Sequence, residues 1–206
     1  MGGRGSSSGI NSGGGMLGRS SSVQIKSSTP IGTAIAQGAG LYANEIQNAR
    51  DAMEVEYGNI ISKANLSLAT MGDSALGASD GQTVYMNDKF VKNNNMTQAM
   101  KASADSGFHP KIGNKTGAEA VTAHELGHFL SAQATAKAGV TEREIVARAG
   151  KKIGVKTNNV ASLISGYARY NYAETIAEAS QDVFCNGKKA SKASIAIMSE
   201  IKKILK

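Results

Sequence analysis

The pentapeptide HELGH at positions 124–128 restricts the fold of this chain more than any other segment. Residues four apart lie on one face of an α-helix, so His124 and His128 can share a metal ion if the segment is helical. Glu125 then stands beside them, where its carboxylate can take a proton from an activated water molecule. The same five residues also occur in ordinary helices with solvated side chains, so the interpretation depends on a third ligand.

A third ligand has to be a carboxylate, because no histidine follows His128 in the chain and catalytic zinc takes three protein ligands. The segment AETIAEASQD offers Glu174 and Glu178, four residues apart on one predicted helix face among alanine and isoleucine. One of them can bind the metal while the other accepts the second N–H of a ligand histidine. Two plainer explanations stay open: Glu174 completes a capping box with Asn171, and Glu178 is a surface residue.

Residues 166–179, GYARYNYAETIAEA, resemble the second half of the zinc site in lethal-factor-type metallopeptidases, which are gluzincins. In that family a tyrosine precedes the glutamate ligand by seven residues, within the pattern Y-x6-E-x-x-A-E-A. Tyr167 and Glu174 stand at this spacing, and HELGH matches the first half of the site. The resemblance covers about residues 118–206. One position departs from it, because Ser180 stands where the family usually has a large aromatic residue.

The resemblance implies a role for each matched residue. The ligands of a Zn²⁺ ion would be His124, His128 and Glu174. Glu125 would be the general base of a peptidase, and Tyr167 would donate a hydrogen bond to the oxyanion of the tetrahedral intermediate. Glu178 would orient a ligand histidine from behind. The implied activity is hydrolysis of a protein or peptide substrate by a zinc endopeptidase.

Other residues near these motifs are weaker candidates. Tyr170 and Tyr172 stand at the wrong spacing from the predicted glutamate ligand. Tyr167 itself can be explained as a structural tyrosine that fills the core. His109 precedes a proline in a predicted loop, so we expect it to be structural and not a metal ligand.

Hydrophobic periodicity and turn residues predict an α+β fold in which most helices follow a small β-sheet. We expect strands at 64–70 and 82–88, and helices at 41–57, 96–105, 117–138, 142–150, 158–165, 172–186 and 190–206. The resemblance makes this fold zincin-like, with an HExxH active-site helix and a helical C-terminal part. By analogy with that fold, strand 82–88 is predicted to be the edge strand that pairs with an extended substrate.

The two ends of the chain differ in composition from its middle. Residues 1–22 contain eight glycines and seven serines, too few apolar side chains to offset the entropy of ordering. We therefore predict a disordered Gly/Ser-rich tail over 1–30 and one zincin-like metallopeptidase domain over 31–206. The formal net charge of +7 is concentrated at the two ends. A nucleic-acid surface is normally built into the folded unit, so no specific nucleic-acid partner is expected.

The sequence also bears on location. No apolar run approaches the roughly 18 residues of a membrane span, so no membrane association is expected, and the N-terminus has no apolar core of a secretory signal. The single cysteine, Cys185, fits a reducing compartment, so we predict a cytoplasmic location.

A second resemblance concerns genomic context. The Gly/Ser-rich start together with HELGH and YAETIAEA resembles proteins encoded by phages and prophages near head-morphogenesis genes. It implies action in the host cytoplasm or in a phage particle, with capsid or head proteins as possible partners. It also supplies an alternative function, a head-associated structural protein with a non-catalytic zincin-like fold.

Overall fold

The computed structural model of the protein describes residues 24–38, 41–72, 75–92 and 95–206. Residues 1–23, most of the predicted tail, lie outside the described residues. The last residues assigned to that tail differ from the prediction, because Ser27–Pro30 form a β-strand. Their side chains are mostly exposed, so backbone pairing with a neighbouring strand explains their order better than burial does.

Four strands form a mixed β-sheet. They are β1 Ser27–Pro30, β2 Asn65–Thr70, β3 Gly77–Ser79 and β4 Thr83–Asn87, in the spatial order β1-β2-β4-β3. The central strands β2 and β4 are parallel, whereas β1 and β3 run antiparallel to their neighbours. The prediction that strand 82–88 is an edge strand is wrong, because β4 has β2 on one side and β3 on the other. The strand at that end of the sheet is β3.

Helices make up most of the described residues. The α-helices found there are α1 Ile31–Ala36, α2 Leu41–Tyr57, α3 Asp88–Lys92, α4 Asn95–Asp105, α5 Gly117–Ala138, α6 Glu142–Lys152, α7 Thr157–Val160, α8 Tyr172–Asn186 and α9 Lys192–Leu205. Six predicted helices are confirmed to within two residues at each end. The segment predicted as a helix over 158–165 is shorter, because α7 gives way to a 3-10 turn at Ala161–Leu163. The fold is therefore α+β, as predicted.

Local sequence signals explain where α5 begins and ends and where α6 begins. Thr116 and Glu119 form a capping box at the start of α5, each side chain accepting a hydrogen bond from the backbone N–H of the other. Gly139 ends α5 with φ 64°, a left-handed conformation that favours glycine. Thr141 and Glu144 form a capping box at the start of α6. These signals act over three or four residues, which is why the boundaries were predictable.

Helix α5 lies at the centre of the fold. It packs against α2, α8 and α9, and against β3 and β4 on the sheet side. Leu126, Phe129 and Leu130 on this helix are fully buried. The HELGH segment is thus enclosed by packed elements. Despite the length and burial of α5, no helix in the described residues is both long and apolar enough to cross a membrane.

Candidate metal centre

The candidate site forms where α5 crosses α8. At the crossing a Cβ atom on Gly127 would lie 2.7 Å from Ser180 Cβ and 2.8 Å from Ala177 Cα. Ser180 also donates a hydrogen bond of 2.8 Å to the carbonyl of Ala123. A large aromatic residue at 180, as in the family that the motifs resemble, would need a wider crossing. Small residues on both helices therefore allow the close approach that brings α8 side chains to the histidines of α5.

His124, His128 and Glu174 place three possible ligand atoms within 4.8 Å of one another. Glu174 Oε2 lies 3.2 Å from His124 Nε2 and 3.4 Å from His128 Nε2. The His128 side chain is 13% exposed and the other two are more deeply buried. None of the three atoms has a hydrogen-bond partner among the described residues, although they are buried and close together. Buried polar atoms without hydrogen bonds are costly, so this arrangement suits a bound cation.

Two of the three distances within this triad can be compared with those of a tetrahedral zinc site. Zinc binds imidazole nitrogen and carboxylate oxygen at about 2.0–2.2 Å in a tetrahedral arrangement, which separates two ligand atoms by roughly 3.3–3.6 Å. The distances of 3.2 and 3.4 Å from Glu174 Oε2 to the two imidazole nitrogens fall at or close to this range. Two histidines and one carboxylate also leave a fourth position for water or substrate. The triad is therefore a possible metal-binding site, and its donors suit zinc and its neighbours in the affinity series.

The charges of the triad are mutually dependent. Burial acts to raise the pKa of Glu174, but the positive charges of His128 and His124 outweigh it and hold the pKa at about 2. Burial acts to lower the pKa of both histidines, yet contacts with the surrounding carboxylates raise them, well above 6.5 for His124. Protonated imidazoles thus balance the buried carboxylate charge, a task that a divalent cation can also perform.

Glu125 follows the first histidine and faces β3, where it contacts Gly77. Its side chain is fully buried, and neither carboxylate oxygen has a hydrogen-bond partner in the part of the chain that the structure describes. Burial raises its pKa, an effect that the charges of His124 and His128 partly offset. A carboxylate with unpartnered oxygens and a raised pKa is well suited to accept a proton near neutral pH.

Tyr167 lies beside the histidines on the short 3-10 turn that precedes α8. Its ring is buried, with the centroid 6.0 Å from that of His124. Burial, followed by the negative charge of Glu174, raises the pKa of the Tyr167 hydroxyl well above 10. The hydroxyl therefore stays protonated across the physiological range and can donate a hydrogen bond.

The two alternative tyrosines make contacts with residues outside the triad. Tyr170 stacks on Tyr167 with the ring centroids 6.1 Å apart, and it is 45% exposed. The hydroxyl of Tyr172 donates a hydrogen bond of 3.1 Å to the side chain of Asn158. Tyr167 is thus the tyrosine whose ring packs against His124.

Glu178 lies behind His124 and is fully buried. Its Oε1 atom stands 2.9 Å from His124 Nδ1, although the N–H does not point straight at it. The same oxygen accepts a hydrogen bond of 2.8 Å from His109 Nδ1, and Oε2 accepts one of 2.6 Å from Ser165 Oγ. Burial acts to raise the pKa of Glu178, but His109 and His124 hold it at about 2. Glu178 is therefore not a surface residue, and that alternative explanation is wrong.

Only half of the capping box predicted for Asn171 and Glu174 is formed, because the Glu174 carboxylate does not return a hydrogen bond to the Asn171 backbone. Asn171 accepts a hydrogen bond of 2.8 Å from the backbone N–H of Glu174 and so caps α8. The carboxylate of Glu174 meanwhile lies at His124 and His128. Backbone and side chain of this one residue therefore serve the helix start and the triad separately.

Sequence reasoning missed the place of His109 in this site. Its ring centroid lies 6.2 Å from that of His124, and the His124 and His128 centroids are 5.0 Å apart, so all three histidines of the chain belong to one cluster. Its partner Glu178 is 69 residues away in sequence. No local spacing in the sequence connects His109 with Glu178. The one sequence signal is that the chain has only three histidines, which makes each of them a candidate for the same site.

Comparisons with known protein families, with curated proteins and with solved structures found no match to this chain.

Proposed function

We propose that this protein is a zinc-dependent endopeptidase with a zincin-like fold. The observation that carries the proposal is the convergence of three buried ligand atoms from His124, His128 and Glu174, none of them hydrogen-bonded among the described residues, beside the carboxylate of Glu125, which also lacks hydrogen bonds there. The two motifs that resemble the gluzincins meet at this place. Chance similarity of either motif would not require α5 and α8 to bring these side chains together.

The residues of the chain divide the chemistry as follows. A zinc ion held by His124, His128 and Glu174 would supply Lewis acidity, lowering the pKa of a water molecule towards about 7 and polarising a carbonyl. Glu125 takes the proton of the attacking water and returns it to the leaving amine. Tyr167 donates its hydroxyl proton in a hydrogen bond to the developing oxyanion.

Glu125 favours catalysis over a purely structural metal site. A structural site has no use for a carboxylate that does not bind the metal, and a buried carboxylate without hydrogen bonds is costly. Both oxygens of Glu125 are in that state in the described part of the chain. The alternative function, a head-associated structural protein with a non-catalytic zincin-like fold, does not explain a buried Glu125 carboxylate without hydrogen bonds.

An extended substrate would pair with β3, the strand at the sheet end that packs over Glu125. The Glu125 oxygens are covered in the present conformation, so the cluster has to open before a peptide reaches them. Among the triad side chains, His128 is the most exposed and marks the side from which access begins. Candidate substrates include host proteins and the head proteins of a phage particle.

The first experiment measures the zinc content of purified wild type, Glu174→Ala and Glu56→Ala by elemental analysis. Glu56 is 57% exposed and serves as the matched control for removal of a carboxylate. We expect about one zinc per chain in wild type and the control, and loss of zinc in Glu174→Ala. Wild type that neither carries nor takes up zinc would exclude the proposed function.

The second experiment tests the reaction itself. Wild type and Glu125→Gln, both loaded with zinc, are incubated with a peptide library and the products are read by mass spectrometry. We expect cleavage by wild type alone. Zinc binding without cleavage of any peptide or phage head protein would favour the structural alternative.

A further inference from the structure

We propose that His109 is a positioning residue of the metal centre, which holds Glu178 where that carboxylate orients the ligand His124. This inference rests on the proposed function and adds a residue that lies outside both sequence motifs. His109 comes from the loop between α4 and α5, and only 8% of its side chain is exposed.

The hydrogen bonds of Glu178 show why a donor from His109 matters. A buried carboxylate is stable only where donors surround it. Glu178 receives hydrogen bonds from His109 at 2.8 Å and from Ser165 at 2.6 Å, on different oxygens. The contact with His124 at 2.9 Å is less well directed. His109 and Ser165 therefore fix the carboxylate from two sides, and His124 meets an acceptor that is already placed.

The same carboxylate bears on how the ring of His124 is oriented. An ionised carboxylate only accepts hydrogen bonds, so His109 Nδ1 donates to Glu178 Oε1, and His124 Nδ1 lies 2.9 Å from the same oxygen. The other ring nitrogen of His124, Nε2, lies 3.2 Å from Glu174 Oε2 and therefore faces the triad. Glu178 thereby holds the edge of the ring that is turned away from the triad, and His109 keeps Glu178 in place to do so.

The loop that carries His109 is also joined to the turn that carries Tyr167. The N–H groups of Gly166 and Tyr167 donate hydrogen bonds of 2.9 Å to the carbonyls of Gly107 and Phe108, respectively. The rings of His109 and Tyr167 pack with their centroids 5.0 Å apart. A displacement of His109 would therefore reach both a zinc ligand and the residue proposed to bind the oxyanion.

The test compares the zinc dissociation constants of wild type, His109→Phe and His109→Asn by competition with a chromophoric chelator. Phenylalanine keeps the ring packing but lacks the donor, whereas asparagine places an N–H donor close to the position of Nδ1. We expect zinc binding to weaken roughly 10- to 100-fold in His109→Phe. His109→Asn should recover most of that loss. A purely structural His109 would lower the melting temperature of His109→Phe but leave its zinc affinity unchanged, and that result overturns the proposal.

A second measurement needs neither a variant nor a metal. The chain has three histidines, so the imidazole ¹⁵N spectrum of wild type contains three rings to assign. We expect a protonated Nδ1 on His109 whose proton exchanges slowly with solvent. An unprotonated Nδ1 overturns the proposal, because an ionised carboxylate has no proton to donate to it.

The two failures are distinguishable. Wild type without zinc affinity sinks the proposed function, and the ring spectrum then still decides whether His109 holds Glu178. If His109→Phe binds zinc as tightly as wild type does, the inference about His109 fails and the proposed function is unaffected.

Discussion

Gly77 in β3 lies so close to Glu125 in α5 that a Cβ atom on residue 77 would stand 2.9 Å from Glu125 Cγ and 3.0 Å from Glu125 Oε1. The same Cβ would stand 2.9 Å from Val121 Cγ1. Contacts this short force a neighbour to move. The missing side chain at 77 therefore gives the proposed general base the space it occupies.

Gly77→Ala is expected to displace Glu125 while leaving the zinc ligands in place. Misplacement of a catalytic group by about 1 Å can cost on the order of 100-fold in rate. We expect peptidase activity to fall at least about 10-fold on that ground, with zinc content unchanged. The measurement is kcat/KM together with elemental analysis. Full activity in Gly77→Ala would show that the space above Glu125 is not needed.

Gly127→Ala tests the helix crossing. Alanine favours a helix over glycine by about 1 kcal/mol, but here its Cβ would overlap Ser180 and Ala177. Overpacking of this kind costs about 1–3 kcal/mol, so we expect a net loss in the free energy of unfolding. A wider crossing also moves Glu174 away from the histidines and should weaken zinc binding.

Gly32→Ala is the matched control for that variant. Gly32 lies in helix α1, and a Cβ atom there would meet nothing within 4 Å. We expect it to be neutral or to stabilise by up to about 1 kcal/mol in urea denaturation. Equal stability and equal zinc affinity of wild type and Gly127→Ala would contradict the role given to the crossing.

The parts of the fold that were predictable are those encoded locally. Thr141 and Glu144 cap α6 over three residues, and Gly139 ends α5 by its own conformation. Strand β3 is three small residues, GAS, without the alternation that marks a strand, and it was missed. Strand order is a non-local property, so nothing in residues 82–88 could show that β4 has neighbours on both sides.

The same distinction applies to the site. His124 and His128 are related by helical spacing. Glu174 was identified as a candidate ligand because its segment resembles the motif of a known family. His109 has no such relation to its partner Glu178, and the pairing exists because the loop after α4 folds back on α8. Sequence patterns therefore identified the residues on the two helices and missed the residue that joins them from a loop.

Zinc should stabilise the folded protein if the triad binds it. A ligand that binds only the native state at 100 times its dissociation constant adds about 2.7 kcal/mol to the free energy of unfolding. We expect the melting temperature of wild type to rise with added zinc and to fall with a chelator. Glu174→Ala should show neither change, because it lacks one ligand of the triad. A zinc-induced rise of equal size in Glu174→Ala would place the bound metal elsewhere.

Ser165→Ala removes one of the two well-directed donors of Glu178. Ser165 Oγ donates at 2.6 Å to Glu178 and accepts at 3.0 Å from the N–H of Ala168, so both partners would lose a hydrogen bond in a buried place. We expect a loss of about 1–3 kcal/mol in the free energy of unfolding, measured in urea. Ser162→Ala is the control, since Ser162 is exposed and belongs to the same segment. Similar stability of the two variants would contradict the anchoring of Glu178 by Ser165.

Glu125→Gln separates catalysis from metal binding and from folding. The general base contributes on the order of 10²–10⁴-fold to rate, so activity should fall by that factor while the zinc content stays at the wild-type level. Glutamine is nearly isosteric but uncharged, and the buried carboxylate it replaces has no hydrogen-bond partner within the described residues. We therefore expect the metal-free variant to be at least as stable as wild type. Urea denaturation of both proteins in chelator measures this difference. A variant that is less stable, or that is inactive because it has lost its zinc, would mean that Glu125 supports the fold or the metal site and not the reaction.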